Sequence, residues 1–531
     1  MFQPIASSLF GGVANFSSGV FYRHLMQSSD ESNERGAPSP ATILSIVAGI
    51  GIVAAVRYPA FDDEAHAIAN ASQGLTEILS RGLGRSGQFH PPLAEVVLHA
   101  WLKLAGTHRL CVIRAPAILC WLCALASFYW ALRPIASKRA RRMALTLVAL
   151  WPAHLLLPFA ATWYSMAALL GAVAFGALVR ALSAVTAREM TRALLLAIVA
   201  TAALAYTVFA WPFVLAGELA GAVLLCGFAV VRRHIRVWIA SAVVLAAVAA
   251  PTALAIGPRI GPMIRRGAGG GPMQTAGAGL ALLVGHSAPA NGWIGLFALA
   301  SLAAAFWAGK MRTARALLIA ALLTFGCLAA TNTLNDKRLL LASLFVPAAL
   351  GLAASEPQRQ LVLLLCTAAA IPAWLGWIGA TSRPWLFPRW QDPVTEIVCL
   401  HFAAPPPRLL LTANPSVAFM AALASGEMEI WQAPTTDASH RESARWWAPA
   451  RGTYLVDRIA SRQRQGLPPF QEIDVVLSGS ALEKATTAAD VLEPAGWRVT
   501  EDLAFGQDSL AQLRHRQVSS ARLRLIRFSR R

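Results

Sequence analysis

The sequence predicts an α-helical polytopic membrane protein with about eleven spanning helices, interfacial helices in its first outer loop and a small C-terminal α/β soluble domain. Three observations carry that expectation. Of the 531 residues, 56% are hydrophobic and only 14% are charged. Mean hydropathy is +0.52, a balance that a water-soluble fold of this length could not hide. Between about 41 and 380 apolar runs recur, most of them near the roughly 20 helical residues that a hydrocarbon core demands. These Ala/Leu/Val runs are continuous and lack the period-two alternation of a β-barrel, so helices must satisfy the backbone in lipid.

The spans fall near 41–56, 111–132, 143–160, 163–183, 193–209, 211–231, 237–256, 291–308, 316–331, 339–354 and 361–380. Basic clusters punctuate them. Arg133, Lys138, Arg139, Arg141 and Arg142 follow the second span, Arg188 and Arg192 the fourth, Arg232, Arg233 and Arg236 the sixth, and Lys310, Arg312 and Arg315 the eighth. All four clusters fall on one side, which the positive-inside rule makes cytoplasmic. The amino terminus is then inside, and the segment after the eleventh span lies in the periplasm of a bacterial inner (plasma) membrane. Trp151, Trp163, Trp211, Trp293 and Trp385, near span ends, fit an interfacial belt.

The formal charge of +19 is dispersed in those clusters, a topology signal and not a nucleic-acid patch. Six of the seven cysteines lie in or beside apolar runs, and the C-x-x-C of Cys120 and Cys123 reads as small apolar filler. The first 40 residues form a mildly polar segment with no evident cleavable signal. The stretch from Pro92 to Gly106 is too short for a span, and Glu95, His99 and Lys103 recur every four residues on one helix face. It reads as an amphipathic helix in the membrane interface. Gly267 to Pro272 reads as a lid or a plain linker. Beyond 380, short runs such as Arg408 to Thr412 and Ile473 to Leu477 alternate with helix-like segments. That pattern divides the chain into an N-terminal segment 1–40, a membrane domain 41–380 and an α/β domain 381–531.

The chemistry-bearing residues lie in the first outer loop. Asp62, Asp63 and Glu64 are consecutive, His66 follows, and His90-Pro91-Pro92-Leu93 comes about 25 residues later. Three adjacent carboxylates beside a span repel one another and are costly unless solvated or used. On these residues alone a wet acidic loop and a working site stand equal. The double proline fixes entry into a helix and aims His90 at the acidic group's side of the membrane.

The array Phe61-Asp62-Asp63-Glu64-Ala65, His90-Pro91-Pro92-Leu93, Trp101 to Gly106, Arg109 and Arg114-Ala115-Pro116-Ala117 resembles the first half of the polyprenyl-phosphate-sugar glycosyltransferases. These are enzymes of the C-type glycosyltransferase fold, akin to protein O-mannosyltransferases and the lipid A aminoarabinose transferase. The specific match covers about Tyr58 to Arg133, and Lys337-Arg338 before the proline-bearing stretch Leu339 to Pro347 is similar to a later family feature. The resemblance implies that Asp63, with Glu64 beside it, is the general base on an acceptor hydroxyl, while Asp62 leaves the choice of base open between neighbours. A nearby carboxylate raises the basicity of its partner. It also implies that His90, Lys337 and Arg338 hold the donor's lipid phosphate, with inversion at the anomeric carbon. The stretch Pro158 to Tyr164 lacks the carboxylate seen there in many family members, so no divalent metal or other cofactor is expected. The expected partners are a polyprenyl-phosphate sugar, a lipid, glycan or protein acceptor, and membrane lipids, with no nucleic acid. A lipid or solute transporter is the alternative. It would show Gly/Pro-interrupted spans in two matching halves, which are not seen; Glu218, within the sixth span, is a cavity residue or a lipid-phosphate or proton site.

Overall fold

The computed structural model describes residues 38–57, 62–71, 74–82, 91–106, 110–151, 154, 157–266, 312–330, 344–354, 408–412, 430–432, 471–478, 492–494, 496–505 and 523–530. The expected spans 291–308 and 361–380, the Gly267 to Pro272 segment, His90, Lys337 and Arg338 lie outside these residues.

The first half opens with α1 (Pro40–Arg57) and the short helices α2 (Asp62–Ala71), α3 (Leu75–Gly82), α4 (Leu93–Ala105) and α5 (Leu110–Ile113). Then come α6 (Ala115–Ala131), α7 (Lys138–Ala149), a 3-10 turn Leu157–Phe159, α8 (Tyr164–Ser183), α9 (Ala187–Ala205) and α10 (Trp211–Cys226). Next are α11 (Ala229–Arg233), α12 (Ile235–Arg266), α13 (Arg312–Ala330) and α14 (Phe345–Ala354). Local chemistry sets several of these ends. Thr186 and Glu189 form a reciprocal capping box that starts α9, and Ser137 caps α7 by accepting from the Ala140 N–H.

Among the described residues, three stretches are long and apolar enough to cross a membrane, Cys111–Ala131, Tyr164–Ser183 and Ile235–Ala255, beside the shorter apolar helices Pro40–Val56, Trp211–Cys226 and Thr313–Leu328. The chain is an integral membrane protein. Its centre is α8, buried over 72% of its apolar window and in contact with α6, α9 and α10. Phe128 of α6, Phe175 of α8 and Phe345 of α14 form an aromatic trio with centroids 5.1 to 6.2 Å apart, within the range where offset and edge contacts add to burial.

Two expected spans are corrected. The third, 143–160, is not one helix: α7 starts earlier, at Lys138, and ends at Ala149. Its 12 residues reach only about 18 Å at 1.5 Å per residue. Ser137 explains the early start, and the Trp151-Pro152 pair that follows disfavours helix. The sixth, 211–231, breaks at Gly227, whose φ of 85° lies in the left-handed region that glycine tolerates. The remainder is the separate turn of α11.

Contacts at the helix ends show that the helices alternate in direction. The end of α1, the starts of α6 and α8, and α2 all meet through Glu64 and Arg114. The Leu93 N–H donates to Tyr206 O, which adds the end of α9. The opposite end therefore carries Arg133, Arg141, Arg180, Arg188 and Arg232, so the first three basic clusters share one end of the bundle, while Lys310 of the fourth lies outside the described residues. The first end, by contrast, carries the acidic triplet. Both ends of α4 are tied to that acidic end, Leu93 to Tyr206 and Trp101 to Val112 O, so α4 does not cross the bundle.

The described residues after 380 form a five-stranded mixed sheet. Its strands are β1 (Arg408–Thr412), β2 (Ile430–Gln432), β3 (Glu472–Ser478), β4 (Trp497–Phe505) and β5 (Leu523–Arg530), in the order β2-β1-β3-β5-β4. β1 runs parallel to β2 and β3, whereas β5 is antiparallel to β3 and β4. Ile473 pairs with Phe528 and Val475 with Ile526 on one face, Val476 with Leu525 on the other. All six are buried. Arg527 stands opposite Asp474 and Glu501 and pairs with both, its Nε 2.8 Å from the fully buried Asp474 carboxylate.

Candidate active site at the acidic end of the bundle

Asp62, Asp63 and Glu64 begin α2 as consecutive helical residues, not as part of an irregular loop. A helix start tolerates carboxylates, because its unpaired N–H groups and macrodipole favour negative charge. The side chains of Asp62 and Asp63 lie outside those described. Glu64 is fully buried.

Glu64 is held by two segments directly and by a third through Arg114. Arg114, at the entry to α6 and itself 2% exposed, donates from Nε to Glu64 Oε1 at 2.7 Å and from Nη2 to Oε2, a bidentate fork. The Ala161 N–H, just before α8, donates to Oε1 at 2.8 Å. The Arg114 fork also reaches back through Nη1 to the carbonyls of Ala54 and Ala55 near the end of α1, at 3.1 and 3.3 Å. A buried charge pair persists only when its remaining donors and acceptors are satisfied, and here they are. Arg114 balances the Glu64 charge, and the clamp ties the backbone of α2 at Glu64 to the entries of α6 and α8.

The other end of α2 is also anchored. Asn70 Nδ2 donates to Glu95 Oε1 at 3.0 Å, and His99 Nδ1 donates to Ala71 O at 2.7 Å. Glu95 and His99 do share a face of α4, as their spacing implies, but that face is turned into the protein. The outward side carries Val97 and Leu104, the latter 79% exposed. Glu95 and His99 face inward because they have partners on α2 that water would otherwise supply, whereas Lys103, at the same spacing, is exposed.

The stretch Pro158 to Tyr164 contributes a backbone donor, Ala161 N, where a carboxylate is common in the family resembled. Nearby, His154 is fully buried outside the spanning helices, its Nδ1 bonded to Val148 O at 2.6 Å and its ring edge-on to Trp121. Burial, offset in part by that hydrogen bond, pushes its pKa down to about 4. His154 is therefore neutral near pH 7 and supplies no cation here.

Of the residues singled out in sequence, the structure brings Glu64 into contact with Arg114 and places Asp62 and Asp63 at the start of the same helix. His90, Lys337 and Arg338 lie outside the described residues. Sequence reasoning did not assign roles to Arg114, Asn70, Glu95 or His99. For Arg114 a signal existed: an arginine immediately before Ala115-Pro116 at a span entry needs a partner in a low-dielectric setting.

No family model matches the sequence, and no curated protein matches it. Solved structures do. The apo crystal structure of ArnT from Cupriavidus metallidurans matches with a TM-score of 0.53 at 12% identity, covering 92% of this chain and 97% of that one. The same protein bound to undecaprenyl phosphate gives 0.52 at 12% identity, with the same coverage. The oligosaccharyltransferase AglB from Archaeoglobus fulgidus, in complex with an inhibitory peptide and a dolichol-phosphate, gives 0.44 at 12% identity over 82% of this chain and 69% of that one. The resemblance read from the first outer loop and the match to ArnT along nearly the whole chain agree: this protein has the C-type glycosyltransferase fold.

Proposed function

We propose that the protein transfers a sugar from a polyprenyl-phosphate carrier to a hydroxyl acceptor at the acidic end of the bundle, on the outer face of a bacterial inner membrane. The observation that carries this reading is the clamped helix α2, which sets Asp62 and Asp63 at a fixed place on a fold shared with ArnT. ArnT has been solved with undecaprenyl phosphate bound, and the carrier proposed here is of that class.

In this reading Asp63 takes the proton of the acceptor hydroxyl as its oxygen attacks the anomeric carbon. The bond from that carbon to the phosphate oxygen breaks, and the carrier phosphate leaves with the electron pair. A single displacement inverts the anomeric configuration, as with one base acting opposite the leaving group in inverting hydrolysis. A phosphate leaving group needs cations more than a proton, and His90, Lys337 and Arg338 supply them. Glu64 and Arg114 act as positioning residues. No divalent metal enters the scheme. The basic end faces the cytoplasm, and 381–531 forms a periplasmic domain.

Mass spectrometry of glycolipids, glycans and glycoproteins from a deletion strain and its parent tests the reading. One sugar missing from one class is the expected result and names donor and acceptor together. Unchanged glycans with an accumulated or unimported solute would establish a transporter instead.

A further inference from the structure

At the basic end, opposite the clamp, three arginines have donors without acceptors among the described residues. Arg180, near the end of α8, lies 3.7 Å over the Trp130 ring and donates from Nη2 to Trp130 O at 3.4 Å. Gly176, one turn earlier, lets that indole approach: a Cβ there would meet Trp130 at 2.6 Å. Arg141, in the first turn of α7, lies 5.0 Å over the neighbouring Tyr129 ring. Both guanidiniums are thus set against the last turn of α6 by stacking. Arg133 is close enough to Arg180 to repel it.

The Nε atoms of Arg141, Arg142 and Arg180 are out of water and have no hydrogen-bond partner among the described residues. A guanidinium with a buried donor left over is costly unless an anion joins it. Among the described residues the one carboxylate at this end is Glu189, which is occupied in the capping box of α9. α7 adds to the field, since it opens with basic residues at the helix end where the macrodipole favours an anion. Apolar groups stand exposed at the same end: Val185 just after α8 is 77% exposed and Phe228 at the start of α11 is 59% exposed. A phosphate beside acyl chains meets both features, whereas a soluble anion meets only the first.

We infer that Arg141, Arg142 and Arg180, with Arg133 beside Arg180, hold phosphate headgroups of anionic phospholipids in the leaflet at the basic end. The inference rests on membrane insertion and not on glycosyl transfer.

The test uses the purified full-length protein. Native mass spectrometry with phosphatidylglycerol and phosphatidylcholine in equal amounts should show retained anionic lipid in clear excess. Each replacement, Arg141→Gln or Arg180→Gln, should lower that preference roughly fivefold, the worth of one basic residue near a headgroup. Arg180→Lys should keep most of it, which separates charge from fold. Phosphatidylglycerol should also raise the thermal midpoint of the wild type, with phosphatidylcholine and inorganic phosphate giving no such rise. Equal retention of both lipids by the wild type, equal protection by inorganic phosphate, or an unchanged preference in the glutamine variants would overturn the inference. Donor turnover, measured in the same preparations, reports on the glycosyltransferase reading separately.

Discussion

Arg114→Ala is the perturbation with the largest structural consequence at the acidic end. The side chain donates two bonds to Glu64 and one each to Ala54 O and Ala55 O, with both partners of the ion pair essentially excluded from water. Removing one member leaves the other as an uncompensated buried charge, at a cost of about 3–5 kcal/mol. Glu64→Leu alone should cost a similar amount, because it strands the guanidinium and the Ala161 N–H. The double variant Glu64→Leu with Arg114→Met replaces the pair by apolar groups of comparable bulk and should cost clearly less than the sum of Glu64→Leu and Arg114→Met made separately, a coupling of more than about 1 kcal/mol. Stability would be followed by unfolding of the purified protein in a denaturing-detergent titration, and activity by mass-spectrometric turnover of a polyprenyl-phosphate sugar. Turnover should stay low even in the double variant, since α2 would no longer be tied to the entries of α6 and α8. Singles within about 1 kcal/mol of wild type, with no coupling between them, would refute the clamp.

The remaining predictions concern the proposed reaction and its sidedness. Asp63→Asn should lower turnover by roughly two to four orders of magnitude, the usual worth of positioned proton transfer, with folding intact. Asp62→Asn should lower it much less, and swapped losses would make Asp62 the base. Arg338→Ala should weaken donor use more than Arg338→Lys, which keeps the charge but loses the planar fork; near-normal activity in both would remove Arg338 from the site. A reporter active only outside the cytoplasm should be active when fused after Ala380 and silent after Arg139. The reverse pattern would put the acidic end inside the cell.

Most of the described helix spans, and the shared end of the first three basic clusters, were legible because hydropathy and charge act over whole segments and need no knowledge of neighbours. The short Pro92 to Gly106 stretch was legible for the same reason, by length. Which side of α4 faces inward was not legible. Periodicity shows that Glu95 and His99 share a face, but whether water or protein satisfies them depends on Asn70 and Ala71, more than 20 residues earlier. The third span failed on local chemistry weighed too lightly: a serine cap at 137 and a proline at 152 outweigh apolar content between them. Strands 408–412 and 473–477 were legible from their β-branched and aliphatic runs, whereas β5 was hidden in a segment where basic residues alternate with apolar ones. In the candidate site the triplet stood out as chemistry, but Arg114 lies 50 residues from Glu64, and no local pattern reports such a pairing.

The division of work between Asp63 and Glu64 follows from position in a helix more than from residue type. Successive helical residues project about 100° apart, so two adjacent carboxylates cannot both enter one buried clamp. Glu64 fills it: its two oxygens accept the Arg114 fork while one of them also takes the Ala161 N–H. Aspartate at 64 would be shorter by one methylene, about 1.5 Å, and could not reach both donors from the same backbone. A motif of aspartate followed by glutamate is then more than two acids in a row. The longer side chain reaches into the bundle and spends its charge on joining α1, α6 and α8, while the shorter one, in the proposed reaction, stays beside the acceptor with a backbone that the clamp holds still. Because the clamp is neutral overall, it fixes geometry without adding a second net charge to the site, and the field around the base is then set by whichever cations receive the departing phosphate.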